Sequence, residues 1–453
     1  MSVNSSAEMF NKAIEAQTKG DMSLAYQLYV AAVMLRPPAA GAWNNLGVML
    51  KENKKHLQGK LALEAAVAIE PCAHYYSNLG DVLWDLGEYD YAESCLRKAL
   101  ELEDTCAPAW YDLGLSLMAT NRFEEAMKCY DRALELAPDR HDFKFGRAVC
   151  LLTMGDYEQG FPAYDCRIEY KIDSLLKMPY PMWRGEDIAG KILYIFAEQG
   201  LGDSLQFIRF IPELVRRYPQ AKITIDLPGA LRRLFNKFFN KHKLKIKVRT
   251  MGDPLPAADY FMALTSIVAR LGYDKSDISS LPYLEAPTEG PHVDRDKNLA
   301  VGIVWAGDPA HEKDKHRSST LEAYLKHLYH PKIDLYSILV GPRSQDIQLD
   351  AAQALVRDMS PTIKDMGDTA YIAKQLDAIV TVDTSVAHLG GALGVETHVL
   401  LPIHGIDWRW FNEGGTSIWY DSVTLWRQSR VGCWDRPLAA LGNYLKEKAS
   451  CRP

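Results

Sequence analysis

A unit of 33 to 34 residues recurs through the first third of the chain, and no other feature narrows the possible folds so much. Trp43, Leu46, Gly47, Leu63, Ala66 and Pro71 return as Tyr76, Leu79, Gly80, Leu96 and Ala99, and again as Trp110, Leu113, Gly114, Tyr130, Ala133 and Pro138. Ala25, Tyr29, Ala32 and Pro37 form a weaker first copy, and Ala148, Leu151, Gly155, Gly160 and Tyr164 a degraded fifth. A large residue, a Leu-Gly step, small residues and then a proline describe two helices that touch closely and stop. Such a pair cannot bury its apolar face alone, so successive pairs must stack.

The spacing and residue types resemble tetratricopeptide repeats, which implies an α-helical superhelix over residues 1–170. The residue just before each Leu position is Asn11, Asn45, Asn78 and Asp112. On the inner wall of a superhelix a carboxamide both donates to and accepts from a peptide bond, so this row is a candidate ladder for an extended protein or peptide partner. A helix surface also needs polar residues there, and the spacing leaves both readings open.

Composition excludes several classes. The 453 residues are 47% hydrophobic and 24% charged, which is the composition of ordinary packed domains. No apolar run approaches a membrane span, and the stretch from Met1 to Lys12 lacks the regions of a signal peptide, so a cytoplasmic protein is expected. Residues 1–170 hold 16 Lys and Arg against 25 Asp and Glu, whereas residues 171–453 hold 36 against 33. That shift places a boundary near residue 170, and neither part carries the strongly basic field of a dedicated nucleic-acid binder. Of eight cysteines, six (72, 95, 106, 129, 150 and 166) are scattered through the first part with no C-x-x-C pair, as expected for buried reduced thiols.

After a connector at 171–190 containing Pro179, Tyr180, Pro181 and Trp183, apolar runs alternate with amphipathic stretches. Strands are expected at Ile192 to Ala197, Lys222 to Asp226, Lys245 to Arg249 and Tyr260 to Met262. Past a Pro-, Gly- and charge-rich linker at 282–298 they resume at Leu299 to Trp305, Leu335 to Val340, Ala378 to Asp383 and Thr397 to Leu401. The reading is two Rossmann-like α/β units, 191–285 and 286–435, with a last helix in 436–453 crossing back to brace the first. Ligands of such units bind beyond the carboxyl ends of the strands.

Three turns there hold chemistry. Gln199, Gly200, Gly202 and Asp203 follow the first strand and open a helix, where Asp203 is either a helix cap or a base facing a cleft. It is not a dinucleotide fingerprint, because Leu205 occupies the third glycine position. His311, Lys313, Lys315, His316, Arg317 and Ser318 form a second turn, either a diphosphate contact or a solvated loop. In the third, Asp383, Thr384, Ser385, Val386, Ala387 and His388 lead into a helix of small residues (Gly390, Gly391, Ala392, Gly394). They form either an anion site at a helix start or a cap with a structural histidine.

E-Q-G-L-G-D-S-L-Q-F (198–207), V-G-I-V-W-A-G with H-R-S (301–307, 316–318) and D-T-S-V-A-H-L-G-G-A-L-G (383–394), behind the repeats, resemble bacterial tetratricopeptide-glycosyltransferase fusion proteins. Their catalytic half is similar to the heptosyltransferases, and the whole arrangement is similar to the O-GlcNAc transferases, whose asparagine ladder the row at 11, 45, 78 and 112 resembles. The resemblance implies a GT-B fold and inverting, metal-independent transfer from a nucleotide-sugar, with no further cofactor. It implies Asp203 as catalytic base, and Arg317, Ser318 and Asp383 to His388 around the donor diphosphate. It implies a protein or peptide acceptor held by the repeats; a lipid-linked saccharide, a modified nucleic-acid base, and a non-catalytic scaffold are the alternatives. Where the heptosyltransferases carry a lysine, this chain has His316-Arg317-Ser318, and Arg317 offers a bidentate phosphate clamp in its place.

Three further stretches are weighed against blander readings. The basic run from Arg232 to Arg249, with Phe235, Phe238 and Phe239, is either a membrane or nucleic-acid contact or, as expected, a helix and strand with the phenylalanines in the core. Trp408, Trp410, Trp419, Tyr420, Trp426 and Trp434 either stack on a base or sugar or fill a core. Asp294-x-Asp296 lies in a linker before a strand and reads as a solvated loop.

Overall fold

The computed structural model describes residues 5–171, 178–310, 314–410 and 414–452, the side chains of 171 and 315 excepted. The chain divides into two compact units, residues 1–151 and 152–453, and the division falls inside a helix, His141–Met154.

The first unit is a tetratricopeptide superhelix. Its described helices are α1 (Ser6–Thr18), α2 (Met22–Met34), α3 (Ala40–Glu52), α4 (His56–Ile69), α5 (Ala73–Leu86), α6 (Tyr89–Leu102), α7 (Ala107–Ala119), α8 (Phe123–Leu136) and most of α9 (His141–Met154). Pro37, Pro71 and Pro138 each follow the end of the second helix of a pair, where a residue without an N–H cannot continue the ladder. The Leu-Gly step has a steric cause. A Cβ at Gly47 would lie 2.6 Å from Leu63 Cγ, at Gly80 2.5 Å from Leu96 Cγ, and at Gly114 2.7 Å from the Tyr130 ring. Each glycine thus lets the two helices of a pair close until one large side chain seats on bare backbone.

The second unit begins with α10 (Tyr157–Tyr164) and α11 (Arg167–Lys171), which the charge boundary near 170 had grouped with the repeats. They stay with the sheets because Arg167, fully buried, reaches Glu198 at 2.7 Å and Ser266 at 3.0 Å, and Asp165 pairs with Arg270. There follow β1 (Ile192–Phe196), α12 (Leu201–Phe207), α13 (Ile211–Arg217), β2 (Lys222–Leu227), α14 (Arg232–Lys241), β3 (Ile246–Thr250), β4 (Tyr260–Ala263) and α15 (Ile267–Leu271). The strands form a parallel sheet in the order β3-β2-β1-β4. In α14, Leu234, Phe235, Phe238 and Phe239 are buried, so the basic run is an amphipathic helix facing a core.

The second sheet comprises β5 (Leu299–Val304), α16 (Asp314–Arg317), α17 (Leu321–Leu328), β6 (Ile333–Ser337), α18 (Asp346–Leu349), β7 (Val356–Asp358), α19 (Met366–Ala373), β8 (Ala378–Val382), α20 (Ser385–Leu393), β9 (Thr397–Leu401), β10 (Val423–Arg427) and α21 (Asp435–Ser450). It is parallel, in the order β10-β9-β8-β5-β6-β7. β5 and β8 are buried along their whole length, as a sheet covered on both faces requires.

Two expectations need correction, and two strands were not expected at all. The run Leu335 to Val340 is strand only at its start, because β6 ends at Ser337 and the rest is buried loop followed by exposed Val340. β7 and β10 carried no expectation. Helix α21 does not cross back to the first sheet. It packs on α17, with Asp435 2.8 Å from His327 and Tyr444 3.0 Å from Glu396, beside the second sheet.

Candidate functional site

Each motif turn follows the carboxyl end of a central strand. β1 ends at Phe196, and Gly200 caps α12 with extended backbone. Asp203 reaches back so that its Oδ2 accepts the Gly200 N–H at 2.9 Å, and its Oδ1 accepts from Arg409. It caps a helix, and its carboxylate stays partly exposed. Burial pushes that carboxyl up from its ordinary value; Arg409 pulls it back, and Asp407 and Glu198 add to the rise.

β8 ends at Val382, and Thr384 caps α20, its Oγ1 accepting the Val386 N–H at 3.3 Å while its carbonyl accepts the Ala387 N–H at 3.0 Å. Among the described residues the Ser385 N–H has no partner, as is usual for the first amide of a helix. Asp383 Oδ1 accepts the Trp410 indole N–H at 2.7 Å, and burial with neighbouring Asp407 pushes its carboxyl up to about 6 against the pull of Arg317. His388 is buried, and burial with nearby Arg409 pushes its imidazole down to about 3. The small residues beyond it seat the helix: a Cβ at Gly390 would lie 2.2 Å from Thr397 Oγ1, and at Gly391 2.3 Å from the Tyr420 ring.

In the second turn Arg317 lies flat against Gly307, where a Cβ would meet its Nη2 at 2.7 Å, and its Nη1 donates to the Asp383 carbonyl at 2.9 Å. Its Nε is buried without a hydrogen-bond partner, the nearest anion being Asp314 at 3.5 Å. Ser318 Oγ bridges Gly307 N–H and Asp314, at 3.0 and 2.8 Å, and His316 stands half-buried on the same short helix. His311 and Lys313 lie outside the described residues, as does the side chain of Lys315.

The two helix starts meet. A Cβ at Gly202 would lie 2.8 Å from His388 Cδ2 and 3.5 Å from Ser385 Cα, so α12 and α20, which leave strands of different sheets, touch at their amino ends. The sequence did not single out the residue that ties this meeting together. Arg409 gives Nε to Gln206 at 2.8 Å, Nη1 to Asp407 at 2.9 Å, and Nη2 to Gln199 at 3.4 Å and to Asp203. The Trp408-Arg409-Trp410 run carried the signal, read there for its rings alone. Those rings pack: Trp408, Trp410, Trp419, Tyr420 and Trp434 are all buried. Asp294 and Asp296 precede β5, at the end of the strand remote from these turns.

Two of the ladder residues are linked along the repeats. Asn45 donates to Tyr29 at 2.9 Å and accepts from Asn44, whose Oδ1 in turn accepts from Asn78 at 2.8 Å. Asn44, buried and unflagged by the sequence, is the link. Asn11 is exposed on α1. Burial, then neighbouring Asp81, pushes the Asp112 carboxyl well above the usual carboxylate range.

Residues 73–106 and 107–140 each match the tetratricopeptide repeat family. Both stretches are tetratricopeptide repeats. The chain is similar to Protein FlbA of Caulobacter vibrioides, 22% identical over 306 residues covering 60% of this chain and 49% of FlbA. It is also similar to Tetratricopeptide repeat protein 7A of Homo sapiens, 34% identical over 89 residues, 19% of this chain and 10% of that protein. It thus spans about half of one relative's length and a tenth of the other's. Among solved structures, YrrB, a tetratricopeptide repeat protein with an unusual peptide-binding site, aligns at a TM-score of 0.32 and 21% identity over 38% of this chain and 90% of its own. Among the described residues no helix is long and apolar enough to cross a membrane.

Proposed function

We propose that residues 152–453 are a nucleotide-sugar glycosyltransferase of the GT-B kind, inverting and metal-independent, whose acceptor protein or peptide is recruited by the tetratricopeptide repeats. One observation carries this reading: the turns after β1 and β8, in separate parallel sheets, meet at Gly202 and His388, where α/β units bind ligands. The FlbA alignment covers more of the chain than residues 1–151 supply, so it includes part of the unit that holds the sheets.

The chemistry follows from the groups present. Asp203 takes the proton of the acceptor hydroxyl as its oxygen bonds to the anomeric carbon. The bond from that carbon to the diphosphate breaks on the opposite face, so the configuration inverts. The departing diphosphate is met by the start of α20, by the Ser385 N–H and by Arg317, whose buried Nε lacks an acceptor. Gly200 and Gly202 leave backbone, not side chain, where the two turns meet, and the Gln199 carboxamide is turned to the Tyr164 hydroxyl and Arg409.

A second reading has its own observation. Asp203 and Arg409 are already paired, and Arg409 also pairs with Asp407, an arrangement that suits an idle sheet unit beside a binding scaffold. Calorimetry and thermal shift with uridine, guanosine and adenosine diphosphates separate the two. A transferase binds one of them and gains melting temperature. Its Asp203→Asn variant keeps that binding and loses about 100- to 10,000-fold in transfer or donor hydrolysis. Absence of binding by every diphosphate, or unchanged turnover in the variant, overturns the enzymatic reading.

A further inference from the structure

We propose that the outer face of the second and third repeats docks a basic amphipathic helix of a partner protein. The apolar side of that helix lies on α4, and one of its lysines or arginines enters a cleft between α4 and α6 to meet Glu64. The proposal rests on the reading of the repeats as recruiter and not on the chemistry of the sheets.

Part of the inner row is already engaged. Asn45 spends both halves of its carboxamide, Nδ2 on the Tyr29 hydroxyl at 2.9 Å and Oδ1 on the Asn44 amide at 3.0 Å, and Asn78 donates to Asn44 at 2.8 Å. Those bonds join one repeat to the next. First helices pack on one another, α3 on α5 and α5 on α7, so the second helices stand on the outside. Their outer faces differ. On α8 the exposed residues are Glu124, Glu125, Lys128, Asp131 and Glu135, all charged. On α4 they are Leu57, Gln58, Leu61, Ala68 and Ile69, with Leu57 and Leu61 each 57% exposed. A helix face turned to water is ordinarily polar, and an apolar stripe along it marks a place where another surface sits.

The cleft beside the stripe decides the charge of the partner. It holds about 360 Å³ and is walled by Glu64, Val67 and Ala68 of α4, Tyr76 and Leu79 of α5 and Tyr91 of α6. Ala68 belongs to both stripe and wall. Among the described residues the Glu64 carboxylate has no hydrogen-bond or ion-pair partner, and Lys60, one turn before it, is held by Glu88 at 2.7 and 2.9 Å. A lysine or arginine suits such a slot along its whole length: its methylenes cover Val67 and Leu79 while its cation meets the carboxylate. From His56 to Leu102 the chain holds 3 Lys and Arg against 8 Asp and Glu, so the field around the patch favours a basic occupant over an acidic one. A second copy does not supply it through α14, the basic amphipathic helix of this chain, because the phenylalanines of α14 are buried in its own core.

The probe is a fluorescein-labelled helical peptide with leucines on one face and lysines on the other, titrated with the full-length protein and read by anisotropy. It is expected to bind, and the same peptide with glutamates for its lysines is not, a comparison that needs no variant to fold. Glu64→Gln should weaken binding roughly three- to tenfold, and Leu57→Ser with Leu61→Ser roughly tenfold or more. Glu135→Gln, on the charged face of α8, should leave it unchanged, and thermal melting verifies that each variant is folded. Absence of binding, or equal weakening by Glu64→Gln and Glu135→Gln, overturns the proposal. Self-association in sedimentation that Leu57→Ser with Leu61→Ser abolishes also overturns it, by giving the face to a second copy. A protein that binds a nucleoside diphosphate but not this peptide keeps the transferase reading and loses the docking face.

Discussion

Asp383 shows how one carboxylate at the site shapes stability. In the unfolded chain it loses its proton near 3.8, but in the folded chain it holds it up to about 6. The folded state therefore binds more protons between those values, and stability falls as pH rises through that window, then stays at the lower level. A carboxamide at this position cannot ionise, and its oxygen can still accept the Trp410 indole N–H. Asp383→Asn is thus expected to match the parent below about pH 4 and to exceed it by about 1–3 kcal/mol above pH 7, read by urea unfolding at each pH. A group that destabilises the molecule at working pH is one that function has reason to keep. Asp203, Asp383 and His388 were legible because a strand, a sharp turn and a helix start follow one another in the chain. Arg409 was not, since its bond to Asp203 joins residues 206 apart in sequence and leaves no local pattern. Tyr420 was flagged only as an aromatic; its tie to His388 exists in space alone.

At the scale of elements, sequence reading succeeded where burial imposes a period. The repeat emerged from its Leu-Gly steps, and the central strands from unbroken apolar runs, because both faces of those strands are covered. It failed at the margins. β7 is three residues with two exposed, so little hydrophobic signal exists to read. The stretch after Ser337 is apolar without being strand, since a buried loop needs the same side chains. The course of α21 was beyond reach because amphipathicity fixes which face is buried and not against what. Gly442 marks that docking: a Cβ there would lie 2.3 Å from the His327 carbonyl oxygen. Alanine gains about 1 kcal/mol in helix propensity. Against backbone that cannot swing aside, overpacking costs about 1–3 kcal/mol or more. The clash should win, so Gly442→Ala is expected to lower stability by about 1–2 kcal/mol net, measured by denaturant unfolding of the sheet unit. A neutral or stabilising result would mean that α21 shifts freely on α17.

For the whole molecule, the charge change and the packing disagree about where the second unit begins, and the packing is the better guide. Residues 152–171 carry helical repeat-like sequence, yet Arg167 and Asp165 enter a buried network with Glu198, Thr265, Ser266 and Arg270. The Glu198 side chain is 1% exposed and already has one oxygen, Oε2, without a hydrogen-bond partner. Removing Arg167 leaves that carboxylate buried and uncompensated, which costs about 3–5 kcal/mol, a large share of what a domain has to spare. A fragment of residues 152–453 is therefore expected to fold and melt cooperatively, whereas 178–453, cut at the sequence-derived connector, should be several kcal/mol less stable or insoluble. Arg167→Met in the longer fragment isolates the ionic part of that loss, and Arg167→Met with Glu198→Gln should recover some of it, because the uncompensated charge is then gone. Equal melting of the two fragments would mean that α10 and α11 belong with the repeats after all.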